Sequence, residues 1–282
     1  MPELPEVETV RRELAPWLTG RRILSAGRVA APVGPKYARL ERAVGQRIVA
    51  VLRRGKFLIL PLSGGDELVI HLGMTGVLSP EPPPDHERVR LVLDGDEPRT
   101  LSFRDPRRFG RCVVVPRGDY RTLPTLAALG PEPLDSSFTP AALLASVVRS
   151  RAPLKQLLLS QRPVAGLGNI YVDEALWRAR VHPLLPGRRL SLEAAARVHR
   201  ATVEVLTAAI AARGTTLRDY RTVNGDVGAF GQRLDVYGHD GEPCRRCRRT
   251  LERIVVGARG THFCPRCQRM PRSRARHSSE VS

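Results

Sequence analysis

No apolar run in this 282-residue chain is long enough to span a bilayer, and its first twenty residues carry charges where a secretory leader needs an apolar stretch. Those absences argue against a membrane helix and a signal peptide, and a soluble, cytoplasmic protein with no membrane partner is expected. No internal repeat is visible. Lysine is nearly missing: of 46 basic residues only Lys36, Lys56 and Lys155 are lysine. The skew fits a GC-rich genome, and it makes each retained lysine a hint that a compact ammonium is wanted where a guanidinium would not serve. Acidic residues number only 28, so the formal net charge is +18. A polyanionic partner follows, although a basic excess alone fits ribosomal, nucleoid or membrane-surface proteins equally well.

Cysteine is scarce too, with five in the chain, yet four of them form Cys244-x2-Cys247 and Cys264-x2-Cys267 separated by sixteen residues. That spacing suits one structural zinc ion, and four thiolates close the coordination sphere against catalysis. Leu251–Gly257 and Thr261–Cys264 flank Ala258-Arg259-Gly260, which predicts a β-hairpin with Arg259 at its tip. So small a unit lacks a core, and zinc would supply folding free energy on the order of 10 kcal/mol. Cys112 sits in an apolar run and reads as a buried strand residue.

The length allows two domains of ordinary size. Leu4, Val7, Val10, Leu14 and Leu18 recur at helical spacing, and Gly20 is a natural stop. From Ile23 to Val115 the texture changes to short β-branched runs, at Arg47–Leu52, Phe57–Leu62, Glu67–Leu72, Val89–Leu93 and Cys112–Val115, as in an antiparallel sandwich or barrel. The turn-rich Gly130–Ser137 segment reads as a linker. Helical spacing returns over Pro140–Arg149, Leu154–Ser160, Asn169–Arg178 and Ser191–Ala212. Gln161–Asn169, between two of these helices, has glycines that admit a phosphate close to the backbone, though a plain structural turn explains such a segment as well. The fold class expected is α+β and multidomain: residues 2–133 a helix plus β-sandwich, 134–235 helical, 236–270 a zinc finger, and 271–282 a disordered basic tail.

The chain starts Met1-Pro2-Glu3-Leu4-Pro5-Glu6. Methionine aminopeptidase removes Met before small residues, and clipping Met1 would free Pro2 as a secondary amine beside a carboxylate. Such an amine attacks an electrophilic carbon and gives an iminium directly, a Schiff-base chemistry without lysine. An ordinary helix start, with Pro at N1 and acidic residues near the positive end of the dipole, accounts for the same residues.

In order, these pieces resemble the formamidopyrimidine-DNA glycosylase family, over roughly residues 2 to 270. The resemblance rests on the PELPEVET start and on Arg54-Gly-Lys-Phe57, His71-Leu-Gly-Met-Thr-Gly76, Asp105-Pro-Arg-Arg-Phe-Gly110, Val164–Tyr171 and Tyr237–Cys244. It implies a helix-two-turn-helix element in the helical domain. It implies, too, a bifunctional base-excision repair enzyme acting on double-stranded damaged DNA; oligomeric state is not readable from the sequence, and a monomer is expected only because it suits a DNA scanner. Such an enzyme removes 8-oxoguanine opposite cytosine and ring-opened purines, then cuts the strand by β,δ-elimination. Pro2 would be the nucleophile, Glu3 the proton shuttle and Lys56 the lysine near the lesion phosphate. Met74 would fill the vacated space, Phe109 wedge the stack and Arg107 read the widowed base. Lys155, Asn169 and Arg259 would grip phosphates, Glu6 and Tyr171 lie in or near the pocket, and the Thr215–Phe230 stretch close over the flipped base. His262 departs from the aromatic residue the family pattern suggests. Two other readings remain: an endonuclease VIII-like enzyme for oxidised pyrimidines, disfavoured by Leu4 and the Met74/Arg107/Phe109 set, and a noncatalytic binder of damaged DNA.

Overall fold

The computed structural model describes residues 2–216 and 222–271. The expected basic tail and the centre of the Thr215–Phe230 stretch lie outside the described residues. Helix α1 (Leu4–Leu18) puts Val7, Val10, Leu14 and Leu18 into the first core, and its periodicity is the one its sequence announces. Eight strands follow: β1 (Ile23–Arg28), β2 (Leu52–Arg54), β3 (Phe57–Pro61), β4 (Asp66–His71), β5 (Val77–Ser79), β6 (Glu87–Leu93), β7 (Thr100–Arg104) and β8 (Arg111–Pro116). They form two antiparallel sheets, ordered β1-β6-β7-β5 and β2-β3-β4-β8.

Period-two alternation explains why the second sheet reads as nearly continuous apolar sequence. Leu58, Leu60, Leu68, Ile70, Cys112 and Val114 face the sandwich core, whereas Phe57, Ile59, Val69, Val113 and Val115 face Leu123 and Leu126 at the short helix α2 (Pro124–Ala127). The expected strand over Arg47–Leu52 is a corner instead. Its backbone bonds to Arg21 of one sheet and Pro61 of the other, so only isolated bridges form and the ladder starts at Leu52.

The helical part contains α3 (Pro140–Val147), α4 (Leu154–Leu159), α5 (Asn169–Ala179) and α6 (Leu192–Ala211) around a core that includes Leu143, Leu158, Tyr171, Leu176 and Val205. Hydroxyl caps at Thr139 and Ser191 start α3 and α6. Between the sheets and these helices runs an ionic seam. Glu132 accepts from Arg53, Arg54 and the Gly55 amide, and Glu8 accepts from Arg11, Arg12 and Arg53. Burial opposes it, yet those guanidinium groups hold the Glu8 carboxyl down to about 2.

The hairpin β9 (Glu252–Val256) and β10 (Arg259–Phe263) packs on α5. Its turn is Gly257-Ala258, with φ of +56° and +61°, the two left-handed residues that a two-residue turn between twisted strands demands. Arg259 is therefore the first paired residue of β10, opposite Val256, and not part of the turn itself. Trp177 of α5 joins Val236, Leu251, Cys244 and Cys264 in a small core, and the Glu174 carboxylate accepts the amides of Asp235, Val236 and Tyr237. No helix among the described residues is long and apolar enough to cross a membrane.

Candidate active site

Helix α1 begins at Leu4 with Glu3 as its N-cap, so Pro2 lies outside the helix; the proline in the first turn is Pro5. The Glu3 amide donates to Glu6 Oε2 at 2.7 Å, closing the first turn. The Glu3 carboxylate also reaches across to α5, where it accepts from the amides of Gly168 at 2.6 Å and Ile170 at 2.9 Å. The positive end of a helix is a natural seat for an anion. Gly168 is needed for closeness rather than for its dihedrals: a Cβ there would fall 2.2 Å from Glu3 Cδ. Gly166 has φ +86°, accepts the Leu4 amide at 3.1 Å, and a Cβ on it would strike the Leu4 side chain. The Gln161–Asn169 segment is thus a socket for the start of the chain.

A cavity of about 480 Å³ opens beside this socket, lined by Glu3, Lys56, Met74, Asn169, Arg259, Gln156, Ile170 and Tyr237 among others. Five residues singled out from the sequence converge here from the N-cap, the β2–β3 turn, the β4–β5 turn, α5 and the hairpin. Gln156 carries no sequence signal, and Ile170 and Tyr237 lie in motifs without an assigned role of their own. Pro2 is buried next to Glu3. Lys56 is only 7 % exposed. Burial pushes its pKa down, Glu3 and Glu6 oppose that shift, and Arg259 adds to it. Burial pushes Glu3 up, against Lys56 and the amides of Ile170 and Gly168. Both shifts run towards neutral pH, the direction that a proton-transfer role would require.

Behind Glu3, Glu6 accepts from the Tyr171 hydroxyl and from the Thr215 amide at 2.6 Å. Burial and the Glu3 charge push Glu6 up to about 7, and burial beside Glu6 keeps Tyr171 protonated. The folded protein therefore holds a proton on Glu6 that the unfolded chain releases near 4.5. Relative to Glu6→Gln, stability is expected to fall as pH rises from 4.5 to 7, by up to about 3 kcal/mol. Urea unfolding of both proteins at the two ends of that window reads the difference, and parallel pH profiles would refute the buried, protonated Glu6.

Met74 sits half-buried on the β4–β5 turn. Burial, with Lys56 and Arg111, pushes His71 down to about 4, and its Nδ1 accepts the Gly73 amide at 3.1 Å, shaping that turn. Arg107 and Phe109 stand exposed on the adjoining 105–110 loop, with the Arg107 guanidinium 5.0 Å from the Phe109 ring centroid. Lys155 is placed differently from a surface phosphate ligand. It is fully buried, pairs with Asp173 at 2.7 Å and donates to the Gly260 carbonyl at 3.0 Å. Asn169 Nδ2 donates to the same carbonyl at 3.0 Å, so both fasten the hairpin behind Arg259, which is exposed. His262 has polar partners an aromatic could not take: its Nδ1 lies 3.4 Å from Asp173 Oδ2 and its Nε2 3.2 Å from Asp240 Oδ1, while its ring packs 4.8 Å from that of Tyr237. The described ends of the Thr215–Phe230 stretch are tied down, Val223 N to Glu13 at 2.7 Å and Phe230 N to Gly214 O at 3.0 Å.

The sulfur atoms of Cys244, Cys247, Cys264 and Cys267 lie within 4.8 Å of one another. Two Cys-x2-Cys knuckles with that spread fit one tetrahedral zinc with bonds near 2.3 Å. The four cysteines would hold a structural ion, about a helix length from the cavity, with no part in the chemistry.

Residues 1–112 match the profile of the formamidopyrimidine-DNA glycosylase N-terminal domain, residues 129–221 that of its H2TH domain, and residues 241–269 a zinc finger found in FPG and IleRS. The chain is 52% identical over 270 residues to the formamidopyrimidine-DNA glycosylase of Thermus thermophilus, covering 95% of this chain and 98% of that one. The Deinococcus radiodurans relative of the same name is 47% identical over 281 residues, covering 95% and 97%. The crystal structure of the MutM (Fpg) protein from Thermus thermophilus superposes with a TM-score of 0.88 at 51% identity, covering 95% and 98%. A point mutant of Lactococcus lactis FPG, in complex with Fapy-dG containing DNA, superposes with a TM-score of 0.85 at 34% identity, covering 95% and 100%.

Proposed function

The chain belongs to the formamidopyrimidine-DNA glycosylase family, and from that premise we propose that it excises oxidised purines from duplex DNA and cuts the strand at the abasic site it makes. The substrates are 8-oxoguanine opposite cytosine and ring-opened formamidopyrimidines, and the working unit is a monomer. The observation that carries this reading is the Glu3 carboxylate, seated on the α5 amides next to Pro2 and sharing one cavity with Lys56.

With Met1 removed, the lone pair of the neutral Pro2 amine bonds to C1′ of the flipped nucleotide as the glycosidic bond breaks; that bond's electron pair leaves with the base, which takes up the proton the Pro2 nitrogen sheds. The C1′–O4′ bond then opens, O4′ takes a proton from Glu3, and the sugar is held as an iminium on Pro2. The iminium acidifies the C2′ proton, which the Glu3 carboxylate takes back as the 3′ phosphate leaves; a second elimination expels the 5′ phosphate, and water hydrolyses the iminium to free Pro2 and the sugar remnant. A one-nucleotide gap with phosphates at both ends remains. Glu3 suits the proton steps because burial raises its pKa towards the working range. Lys56 supplies a compact cation for the lesion phosphate.

Extrusion of a base costs about a few kcal/mol of unstacking, which Met74 in the void and Phe109 in the stack offset. Arg107 reads the widowed cytosine. Arg259 grips a backbone phosphate, and Lys155 and Asn169 act through the Gly260 carbonyl by fixing where Arg259 stands. Borohydride trapping on a duplex with 8-oxoguanine opposite cytosine is expected to give a covalent adduct, with mass spectrometry placing it on Pro2. No adduct on that duplex but one on an oxidised-pyrimidine duplex would move the enzyme to the endonuclease VIII-like branch. An adduct on another residue would overturn the nucleophile.

A further inference from the structure

Strand β6 carries one residue too many. Glu87 pairs with Arg104 and Val89 with Phe103, so Arg88 is the unpaired residue of a bulge, a device that re-aims a side chain. The bulge turns Arg88 inward until it is only 4 % exposed. Its Nε donates to the Asp105 carbonyl at 2.9 Å, one terminal nitrogen to the Ala30 carbonyl, and the other to the Pro106 carbonyl at 3.5 Å. All three partners are backbone carbonyls of loops. A guanidinium taken out of water to meet only carbonyls is an expensive way to fill space, and an apolar side chain would pack there more cheaply unless the loop geometry needs the fork.

The loop so held starts at Asp105, whose buried carboxylate accepts from the Gly110 amide at 2.7 Å and from Thr75 Oγ1 at 2.9 Å. Gly73, at φ +66°, lies so close that a Cβ would fall 2.5 Å from the Gly110 nitrogen. The Met74 turn and the Arg107–Phe109 loop are therefore one laced unit, and Arg88 fixes it from below at the two residues that precede Arg107.

We propose that Arg88 is a specificity-positioning residue: by holding the Asp105 and Pro106 carbonyls it sets where Arg107 meets the base opposite the lesion, without touching DNA. This rests on the reading that Arg107 recognises that base. Arg88 lies away from the cavity, so it should govern discrimination and leave the Pro2 chemistry alone.

The test is single-turnover excision of 8-oxoguanine opposite cytosine and opposite adenine, with strand cutting at an abasic site measured in parallel. In Arg88→Met the cytosine-to-adenine ratio is expected to fall about tenfold, the scale of one lost base contact, while abasic cutting stays close to wild type. Arg107→Ala should lower the same ratio, and the double variant should lose no more than Arg107→Ala alone, since both act through one contact. Arg88→Lys keeps the charge but not the fork and is expected to lose discrimination as well; it decides the matter if Arg88→Met does not fold. Loss in Arg107→Ala with an unchanged ratio in folded Arg88 variants would overturn the role of Arg88 alone. An unchanged ratio in Arg107→Ala would sink the reading of Arg107 and this inference with it. A fall in abasic cutting equal to the fall in excision would make Arg88 a general structural residue and overturn its link to specificity.

Discussion

Replacing Pro2 with glycine is expected to lower excision of 8-oxoguanine by roughly a thousandfold or more while binding to the damaged duplex stays near wild type. The size follows from the role: a nucleophile contributes only as the bond forms, so its loss appears in the rate of chemistry and not in affinity. Glycine keeps an amine but loses the ring, and with it the secondary nitrogen whose iminium has no N–H left to lose and so stays cationic. It also loses the pyrrolidine ring that fixes the direction of the nitrogen, and Pro2 is packed in a buried position where that aim matters. Single-turnover kinetics and a binding titration on one preparation check both halves. Equal activity would end the assignment of Pro2, and a parallel collapse of affinity would recast Pro2 as a structural residue.

Removing zinc, by chelation or by Cys264→Ser, is expected to weaken binding to an abasic-site duplex roughly 10- to 100-fold, the scale of one lost charge-assisted contact. Trapping on Pro2 should persist once DNA is saturating. Apart from zinc, the hairpin is held by a small apolar set, Leu251, Val256, Phe263, Val236 and Trp177, and by polar ties to Lys155, Asn169 and Asp173, whereas a four-thiolate zinc contributes on the order of 10 kcal/mol to folding. Without the ion, Arg259 loses its fixed position and Lys155 and Asn169 lose the Gly260 carbonyl they bind. The Glu3 seat on α5 is built from α1 and the 161–169 socket and does not use the finger. Unchanged affinity after confirmed zinc loss would refute a DNA-gripping role for the hairpin.

The legible parts of this chain are those written in local pattern. Helical periodicity marks α1, α3, α4, α5 and α6, and the twin Cys-x2-Cys knuckles mark the metal site. The corner at Arg47–Val51 misleads because its β-branched residues suit a strand, yet its backbone partners lie in two different sheets. Strands β1, β5 and β7 escape a reading of the sequence because they are short or carry no clean alternation, and they form only through pairing within the β6 sheet. At the site, residue types are readable and their distances are not. Nothing in one dimension tells that Lys155 is buried against Asp173, or that Arg88 occupies a bulge, since both depend on segments apart in sequence.

Helix α5 is eleven residues long, about 16 Å. Its leading amides seat the Glu3 carboxylate, the proton carrier of the function proposed above, and its trailing Trp177 leans on the metal-binding knuckles. The helix thus works as a spacer rod between the chemistry and the grip. Adding or deleting one residue would turn its ends by about 100° and slide them by about 1.5 Å, unseating one partner or the other. Under the proposed function, reach along the DNA and position of the proton donor are thereby set by a single dimension, so neither can drift without the other.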